Sequence, residues 1–288
     1  MRGENRHSGI YGVVVVTRNS SKTIGPTFKS IIDQTLQPTI VCVVDDGSTD
    51  DTLQIVRRIS ENPHSRMCLV TLPDRGYDIR RVMGNINLGI QEIRRQRIVS
   101  TFTMISGDNC LYPPNYSEYI IGKMEKDIKL VVASGDFEDA VTPYSAPHGS
   151  GRFIKNSFLK SLGDKFPPDY GSESWVLEKA LQRGYKVRFF HEVRYGHLRK
   201  LGSQHRFRSW GLAMACLGYH PLWALYRCFK DIHNRLLPPR LLVMLWHYFL
   251  PIHRNNDSYF ILFEKDLRQY VWKKQERRLI ASIRGLLQ

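Results

Sequence analysis

Two adjacent aspartates, Asp45 and Asp46, stand between a β-branched apolar run and a Gly-Ser turn. Adjacent carboxylates at the mouth of a buried strand repel each other and gain nothing from packing. The pair therefore indicates contact with a ligand or a metal rather than a structural role. Residues 47–52, which follow directly, are typical of a turn and a helix cap.

The surrounding elements predict an α/β fold, a three-layer sandwich with a mostly parallel sheet. Residues 11–17 and 39–44 are continuous apolar runs of the kind buried on both faces of such a sheet. A helix between them is predicted from the spacing of Ile24, Phe28, Ile31, Ile32 and Leu36. The alternation continues with a helix over 50–61, a strand over 67–72, a helix over 82–95 and a strand over 98–105.

In such sheets, ligands bind beyond the carboxyl ends of the strands. Those ends fall here near Thr17, Asp45 and Asp108. A response-regulator receiver also carries an acidic pair, but beside its first strand, whereas Asp45 and Asp46 follow the second. The order of elements therefore disfavours a receiver.

The segment Val13–Asn19, an apolar strand with a Thr-x-Asn turn, is followed by Val43–Thr52 with its Val-Val-Asp-Asp-Gly-Ser-Thr-Asp block. This order resembles the opening of the family 2 glycosyltransferases. The resemblance extends over residues 10–210. It implies a GT-A (Rossmann-like) catalytic domain that transfers a sugar, with inversion, from a UDP- or GDP-sugar. It also implies that Thr17 and Asn19 line the donor pocket and that Asp45 or Asp46 holds the nucleoside.

Two later segments resemble donor-side motifs of the same family. Asn87 and Gly89 match an Ala-Arg-Asn-x-Gly segment whose arginine is missing. Arg80 and Arg81, earlier in the chain, are the predicted substitutes, and the alternative for them is a solvated basic face. The metal-binding Asp-x-Asp motif reads Ser106-Gly107-Asp108, so Asp108 is implied to hold Mg²⁺ or Mn²⁺. One carboxylate is enough for such a cation when phosphates supply further oxygens.

On the acceptor side, the family's Glu-Asp-Trp helix start reads Glu173-Ser174-Trp175, before an Arg-Gly-Tyr turn. Serine cannot act unaided as the general base, so Glu173 is the predicted base with Asp169 in reserve. The alternative for Glu173 is that it only complements the dipole of its helix. Residues 149–153 are expected to introduce a helix near the acceptor.

A basic segment with two histidines is expected to follow the last strand. His191 and His197 lie in it, and the resemblance implies that His197 reaches the metal. Arg199 and Arg206 are predicted phosphate ligands, because guanidinium groups bind phosphate through two parallel hydrogen bonds.

Charge and aromatic content set the end of the chain apart. The net charge is +15, and residues 201–288 carry 14 Lys and Arg against 5 Asp and Glu. We therefore predict a catalytic domain over 1–205 and a helical tail over 206–288 that binds an anionic membrane surface. The apolar run 241–250 is too short for an ordinary transmembrane helix, although two such short segments are an alternative that would form a re-entrant hairpin. A tail packed on its own domain or in a homo-oligomer is the alternative.

Further expectations concern location and partners. Five cysteines without CxxC spacing predict thiols in a reducing compartment, hence a cytoplasmic protein on the cytoplasmic face of the membrane. The acceptor is expected to be a glycan or lipid-linked. Nucleic acid binding is not expected, because no recognised nucleic-acid-binding module accompanies the positive charge.

The main alternative to a glycosyltransferase is a degenerate, non-catalytic scaffold that binds nucleotide sugars. A nucleotidyltransferase is disfavoured because the turn after the first strand lacks glycine.

Overall fold

The computed structural model describes residues 11–61, 66–137, 147–199, 206–233, 238–250 and 257–286. Its strands are β1 (Tyr11–Thr17), β2 (Ile40–Asp45), β3 (Met67–Thr71), β4 (Phe102–Ser106), β5 (Cys110–Leu111), β6 (Leu130–Phe137), β7 (Arg152–Lys155) and β8 (Lys186–His197). Its helices are α1 (Ile24–Ile32), α2 (Thr52–Ser60), α3 (Val82–Arg95), α4 (Tyr116–Lys126), α5 (Asn156–Ser161), α6 (Ser172–Gln182), α7 (Arg206–Cys216), α8 (Pro221–His233), α9 (Pro238–Phe249) and α10 (Lys265–Leu286).

The described strands form a mixed sheet in the order β3-β2-β1-β4-β7-β6-β8-β5. The first four strands in this order are parallel, and Thr17 at the end of β1 is opposite Asp45 at the end of β2. β7 is antiparallel to both β4 and β6, so β6 runs in the same direction as β4. This arrangement confirms the predicted α/β class.

The first strands are buried because both of their faces are apolar. Five valines of β1 and β2 are at most 1% exposed: Val13, Val14, Val15, Val43 and Val44. Helix α3 approaches β1 at Gly89, where an added Cβ would stand 2.5 Å from a methyl carbon of Val14. The glycine that matches the family pattern is therefore needed for close packing of helix on strand.

Two predicted boundaries were wrong. Helix α1 ends at Ile32 instead of reaching Leu36, because the Gln34 side chain bonds the carbonyl of Pro113 at 2.8 Å and the amide of Ser117 at 2.9 Å. Strand β4 begins at Phe102 instead of residue 98. Arg97 has a φ of 54°, so the chain leaves α3 through a left-handed turn and needs the next residues to reach the sheet.

Two further expectations are also corrected. Residues 149–153 do not lead directly into a helix, because Arg152 and Phe153 belong to β7 and α5 begins only at Asn156. His191 and His197 lie within β8, not after it. This strand is 12 residues long because it pairs first with β6 and then with β5.

The chain divides into two compact units, Met1–Pro167 with Gly184–Lys200, and Pro168–Arg183 with Leu201–Gln288. The first contains the sheet and the second contains α6 to α10. Within the second, α7 packs closely on α9, because a Cβ on Gly211 would meet the carbonyl oxygen of Met244. None of the helices in the described ranges is long and apolar enough to cross a membrane. The division into domains 1–205 and 206–288 stays a prediction.

Candidate active site

The carboxyl ends of β1, β2 and β4 place the first predicted site residues side by side. Thr17 ends β1, Asp45 ends β2, and Asp108 follows β4 by two residues. The Thr17 hydroxyl donates to Oδ2 of Asp108 at 3.2 Å. The strand ends therefore meet where ligands bind in sheets of this class.

Asp108 is the most densely bonded of these side chains, although it is only 7% exposed. Its Oδ2 accepts the hydroxyl of Ser20 and the backbone amide of Arg18, the latter at 3.4 Å. Its Oδ1 accepts Nη2 of Arg199 at 2.9 Å. Four donors thus converge on one buried carboxylate, and one of them is the guanidinium of Arg199.

Asp46 faces a second arginine. Nη2 of Arg81 lies 2.9 Å from Oδ2 of Asp46, and both side chains are largely buried. Arg75 lies 3.8 Å from the other oxygen and is half exposed. Arg81, predicted from the sequence as the substitute for the family arginine, thus lies next to the acidic pair.

Arg18 ties three loops of the site together. Its Nη1 donates to the carbonyl oxygens of Asp46 and Gly47, the second at 2.6 Å. Its Nη2 lies 2.6 Å from the carboxylate of Asp74. The loops that follow β1, β2 and β3 therefore share one guanidinium.

Asn19 and Asp45 order the turn after β2. Asn19 has a φ of 48°, and its side-chain oxygen accepts the amide of Thr49 at 2.8 Å. Asp45 accepts both the backbone amide and the hydroxyl of Ser48. Both side chains thus have local partners, and the contact of the buried Asp45 with a nucleoside stays a prediction.

The predicted metal site fits a cation held by one carboxylate. The described residues contain no group of three or more His, Cys, Asp or Glu side chains that could hold a metal ion. Ser106 adds no charge because its hydroxyl is neutral, and that hydroxyl is bonded to the hydroxyl of Tyr112 at 2.9 Å. Asp108 alone suits Mg²⁺ or Mn²⁺ when a diphosphate and water supply the other oxygens.

Other predicted donor-side residues have different surroundings. The Asn87 side chain makes two bonds to the backbone of Phe166, at 2.7 and 2.8 Å, which hold that loop against α3. His197 lies opposite Cys110, with its ring 5.2 Å from that of Phe137. The side chain of Arg206 lies outside the described residues. Their contacts with donor, metal and phosphate stay predictions.

The two predicted bases belong to the second unit. Glu173 is exposed in the first turn of α6, where an acidic side chain complements the helix dipole. Burial raises the pKa of Asp169, and its buried Oδ1 has no hydrogen-bond partner among the described residues. The role of either carboxylate as the base stays a prediction.

The family model for glycosyl transferase family 2 matches residues 12–184, more than half of the chain. The chain belongs to glycosyl transferase family 2. Comparison with curated protein sequences gives no significant match.

Solved structures share the fold of this family 2 glycosyltransferase. TarS 1–349 from S. aureus is 17% identical with a TM-score of 0.55, and the match covers 93% of this chain and 82% of that one. The mannosyltransferase PcManGT from Pyrobaculum calidifontis, in complex with GDP-Man and Mn²⁺, is 19% identical with a TM-score of 0.56, and the match covers 96% of this chain and 86% of that one. GalNAc-T7 with UDP, GalNAc and Mn²⁺ is 15% identical with a TM-score of 0.53, and the match covers 72% of this chain and 50% of that one. These likenesses show the GT-A fold.

Sequence reasoning missed two residues of the family 2 site. Arg18 and Ser20 bond the carboxylates and carbonyls of the strand ends, yet neither matches a family motif. The only signal was their place in the polar stretch between β1 and α1. Residues at such a strand end face the ligand edge of the sheet whatever their type.

Proposed function

We propose that this glycosyltransferase moves a sugar from a nucleoside diphosphate donor to an acceptor hydroxyl or phosphate in one inverting displacement. The observation that carries the proposal is the buried Asp108, which joins the ends of β1 and β4 and pairs with Arg199. Hydroxyl, carboxylate and guanidinium groups thus meet at the edge where a donor diphosphate would lie. Similar folds have been solved with GDP-Man and with UDP-GlcNAc.

The proposed donor contacts follow from this arrangement. Asp45 or Asp46 would hold the nucleoside, and Arg81 with Arg199 would face the phosphates. Asp108 would hold Mg²⁺ or Mn²⁺, which neutralises charge on the departing diphosphate when bound. The family pattern predicts Glu173, with Asp169 in reserve, as the group that deprotonates the acceptor.

The main alternative is a scaffold that binds nucleotide sugars without turnover. The observation in its favour is serine at two family carboxylate positions, Ser106 and Ser174. Asp108 would contact the bound donor in either case, so measured turnover separates the two functions.

The full-length chain should be titrated by calorimetry with UDP-, GDP- and other nucleotide sugars, with and without Mn²⁺. Release of nucleoside diphosphate should be measured in parallel. We expect one donor to bind more tightly with the metal and to be hydrolysed slowly with water as acceptor. Binding without release supports the scaffold, and no binding to any donor contradicts both.

A second proposal concerns the outward face of α9. Four large apolar side chains there are exposed by 66, 44, 55 and 47%: Leu242, Val243, Trp246 and Phe249. Their spacing puts them on one side of the helix, opposite the buried Leu241 and Met244. Exposed apolar patches of this kind mark interaction surfaces.

We propose an anionic lipid surface as the partner of this face. The excess of basic residues in 201–288 attracts anionic headgroups, whereas a second copy of this chain would carry the same positive charge. Tryptophan is also enriched at the level of the headgroups. Peripheral attachment on the cytoplasmic face stays a prediction.

The double variant Leu242→Glu/Trp246→Glu should bind phosphatidylglycerol vesicles at least roughly 10-fold more weakly than the native chain. The reason is that each apolar side chain buried in the lipid contributes about 1.5–3 kcal/mol. Co-sedimentation with phosphatidylglycerol and phosphatidylcholine vesicles measures it. Ile128→Glu is the matched control, because Ile128 is 84% exposed in the first unit. Equal binding by the variant and the native chain contradicts the proposal, as does self-association in place of vesicle binding.

A further inference from the structure

Three side chains of the first unit form a hydrogen-bonded cluster apart from the donor contacts described above. Asp136, in β6, is 8% exposed. Its Oδ2 lies 2.9 Å from Nδ1 of His191 in β8, and its Oδ1 lies 3.2 Å from Nε2 of His148. An ionised carboxylate only accepts hydrogen bonds, so both ring nitrogens donate. Asp136 therefore holds His191 in the tautomer whose Nε2 bears the lone pair when the ring is neutral.

The three groups differ in ionisation and exposure. Burial raises the pKa of Asp136, but hydrogen bonds from His191 and His148 outweigh it, so the net pKa lies below the usual range. Burial lowers the pKa of His148, and the contact with Asp136 offsets only part of this. The His191 side chain is 64% exposed, whereas that of His148 is 6% exposed. Of the two histidines, His191 is thus the one that is open to solvent.

A bulge in β8 brings His191 to its position. Gly135 of β6 is opposite Phe190, but the next residue, Asp136, is opposite Arg194, so residues 191–193 bulge from the ladder. Bulges are frequent beside active sites, where they re-aim side chains. The bulge requires glycine at 135, because an added Cβ would meet the carbonyl oxygen of Val193.

The cluster lies at the same edge of the sheet as the donor site. Phe153 of β7 is opposite both Met104 of β4 and Ala133 of β6. Asp108 lies beyond Met104, and Asp136 lies beyond Ala133, in the same direction. One strand separates β4 from β6, so the two backbones are roughly 10 Å apart. This spacing leaves room for a sugar between a diphosphate near one carboxylate and an acceptor near the other.

We propose that His191, oriented by Asp136, takes the proton from the acceptor hydroxyl. The assignment rests on the proposed glycosyltransferase function. It gives an imidazole the task for which the family pattern predicts Glu173. In the step, the acceptor oxygen bonds to the anomeric carbon as the bond from that carbon to the diphosphate oxygen breaks. The hydroxyl proton passes to Nε2 of His191, the electron pair leaves with the nucleoside diphosphate, and His191 then releases the proton to solvent.

The test compares hydrolysis of the donor found above, with water as acceptor, in the native chain and in single variants. We expect His191→Ala to lower kcat roughly 100-fold while the donor Kd stays within about twofold. Added imidazole should restore part of the rate in His191→Ala, since it can occupy the vacated space and accept the proton. Asp136→Asn should lower kcat less, because Asp136 is a positioning residue. Glu192→Gln, in the same bulge, is the control and should behave as the native chain.

The pH profile separates an imidazole from a carboxylate. The pH profile of native kcat should change in His191→Ala and stay native in Glu192→Gln, because only the first substitution removes the imidazole that would take the proton. Among the described residues, Asp136 is bonded directly to the His191 ring, His148 is bonded to the other oxygen of Asp136, and Glu192 is the next residue in the chain. Native turnover that is unchanged in His191→Ala, or that is lost in Glu173→Gln or Asp169→Asn instead, overturns the assignment. A native chain that turns over no donor overturns the proposed function, and the assignment with it.

Discussion

Asp108→Asn is expected to lower kcat/KM for donor hydrolysis on the order of 10³-fold, the scale seen when one preorganised electrostatic group is removed. The carboxamide has no charge to offer a cation or Arg199. Its NH₂ group would also face donors that now converge on Oδ2 from Thr17, Ser20 and the Arg18 amide. The measurement is nucleoside diphosphate release against donor and Mn²⁺ concentration.

Asp33→Asn is the matched control, because Asp33 is a half-exposed carboxylate paired with Lys29 at the end of α1. It should leave kcat/KM unchanged.

Arg199→Ala should change the affinity for the metal in the opposite direction to Asp108→Asn, because it removes the guanidinium that shares Oδ1 of Asp108 with an incoming cation. Mn²⁺ should then bind more tightly in the absence of donor. An Asp108→Asn protein with native kcat/KM contradicts the site described here.

Gly47→Ala is expected to lower the free energy of unfolding by about 3–4 kcal/mol. Gly47 has a φ of 70°, and an added Cβ would stand 2.5 Å from Cα of Asp74. Left-handed backbone in a residue other than glycine costs roughly 1–2 kcal/mol. The clash with backbone atoms adds to this cost, because they cannot turn aside as a flexible side chain does. Urea unfolding of the full chain followed by circular dichroism measures the change.

Gly76→Ala separates the two contributions. Gly76 has a φ of 73°, nearly that of Gly47, but in the described part of the chain no atom beyond its two neighbouring residues lies within 4 Å of an added Cβ. Only the backbone cost applies there, so the loss should be about 1–2 kcal/mol. Equal losses in the two variants would show that the approach of the Asp74 loop to Gly47 is looser than its distances indicate.

The sequence predicted the elements whose signal is local. The valine runs of β1 and β2 specify buried strands wherever they lie, and the Asp45-Asp46 pair marks a strand end without any knowledge of its neighbours. The boundaries at Ile32 and Phe102 could not be predicted in the same way. The first depends on Gln34 meeting Pro113 and Ser117, and such contacts between distant residues have no signature in a window of sequence.

The site shows the same limit. Thr17 and Asp108 could be predicted to lie together because both follow parallel strands, and they do. The pairing of Asp136 with His191 could not, because it depends on a three-residue bulge in β8. A bulge shifts every later side chain to a new partner, and its presence is decided by the strand opposite.

The guanidinium of Arg18, bonded to the loops after β2 and β3, has a thermodynamic consequence for the donor. When a ligand must order a loop in order to bind, the conformational entropy that the loop loses weakens the affinity for that ligand. Here the order is already present, because the Asp46 and Gly47 carbonyls and Asp74 converge on one side chain. The donor would therefore enter a preorganised pocket, because these loops lose their conformational entropy when the protein folds and not when the donor binds.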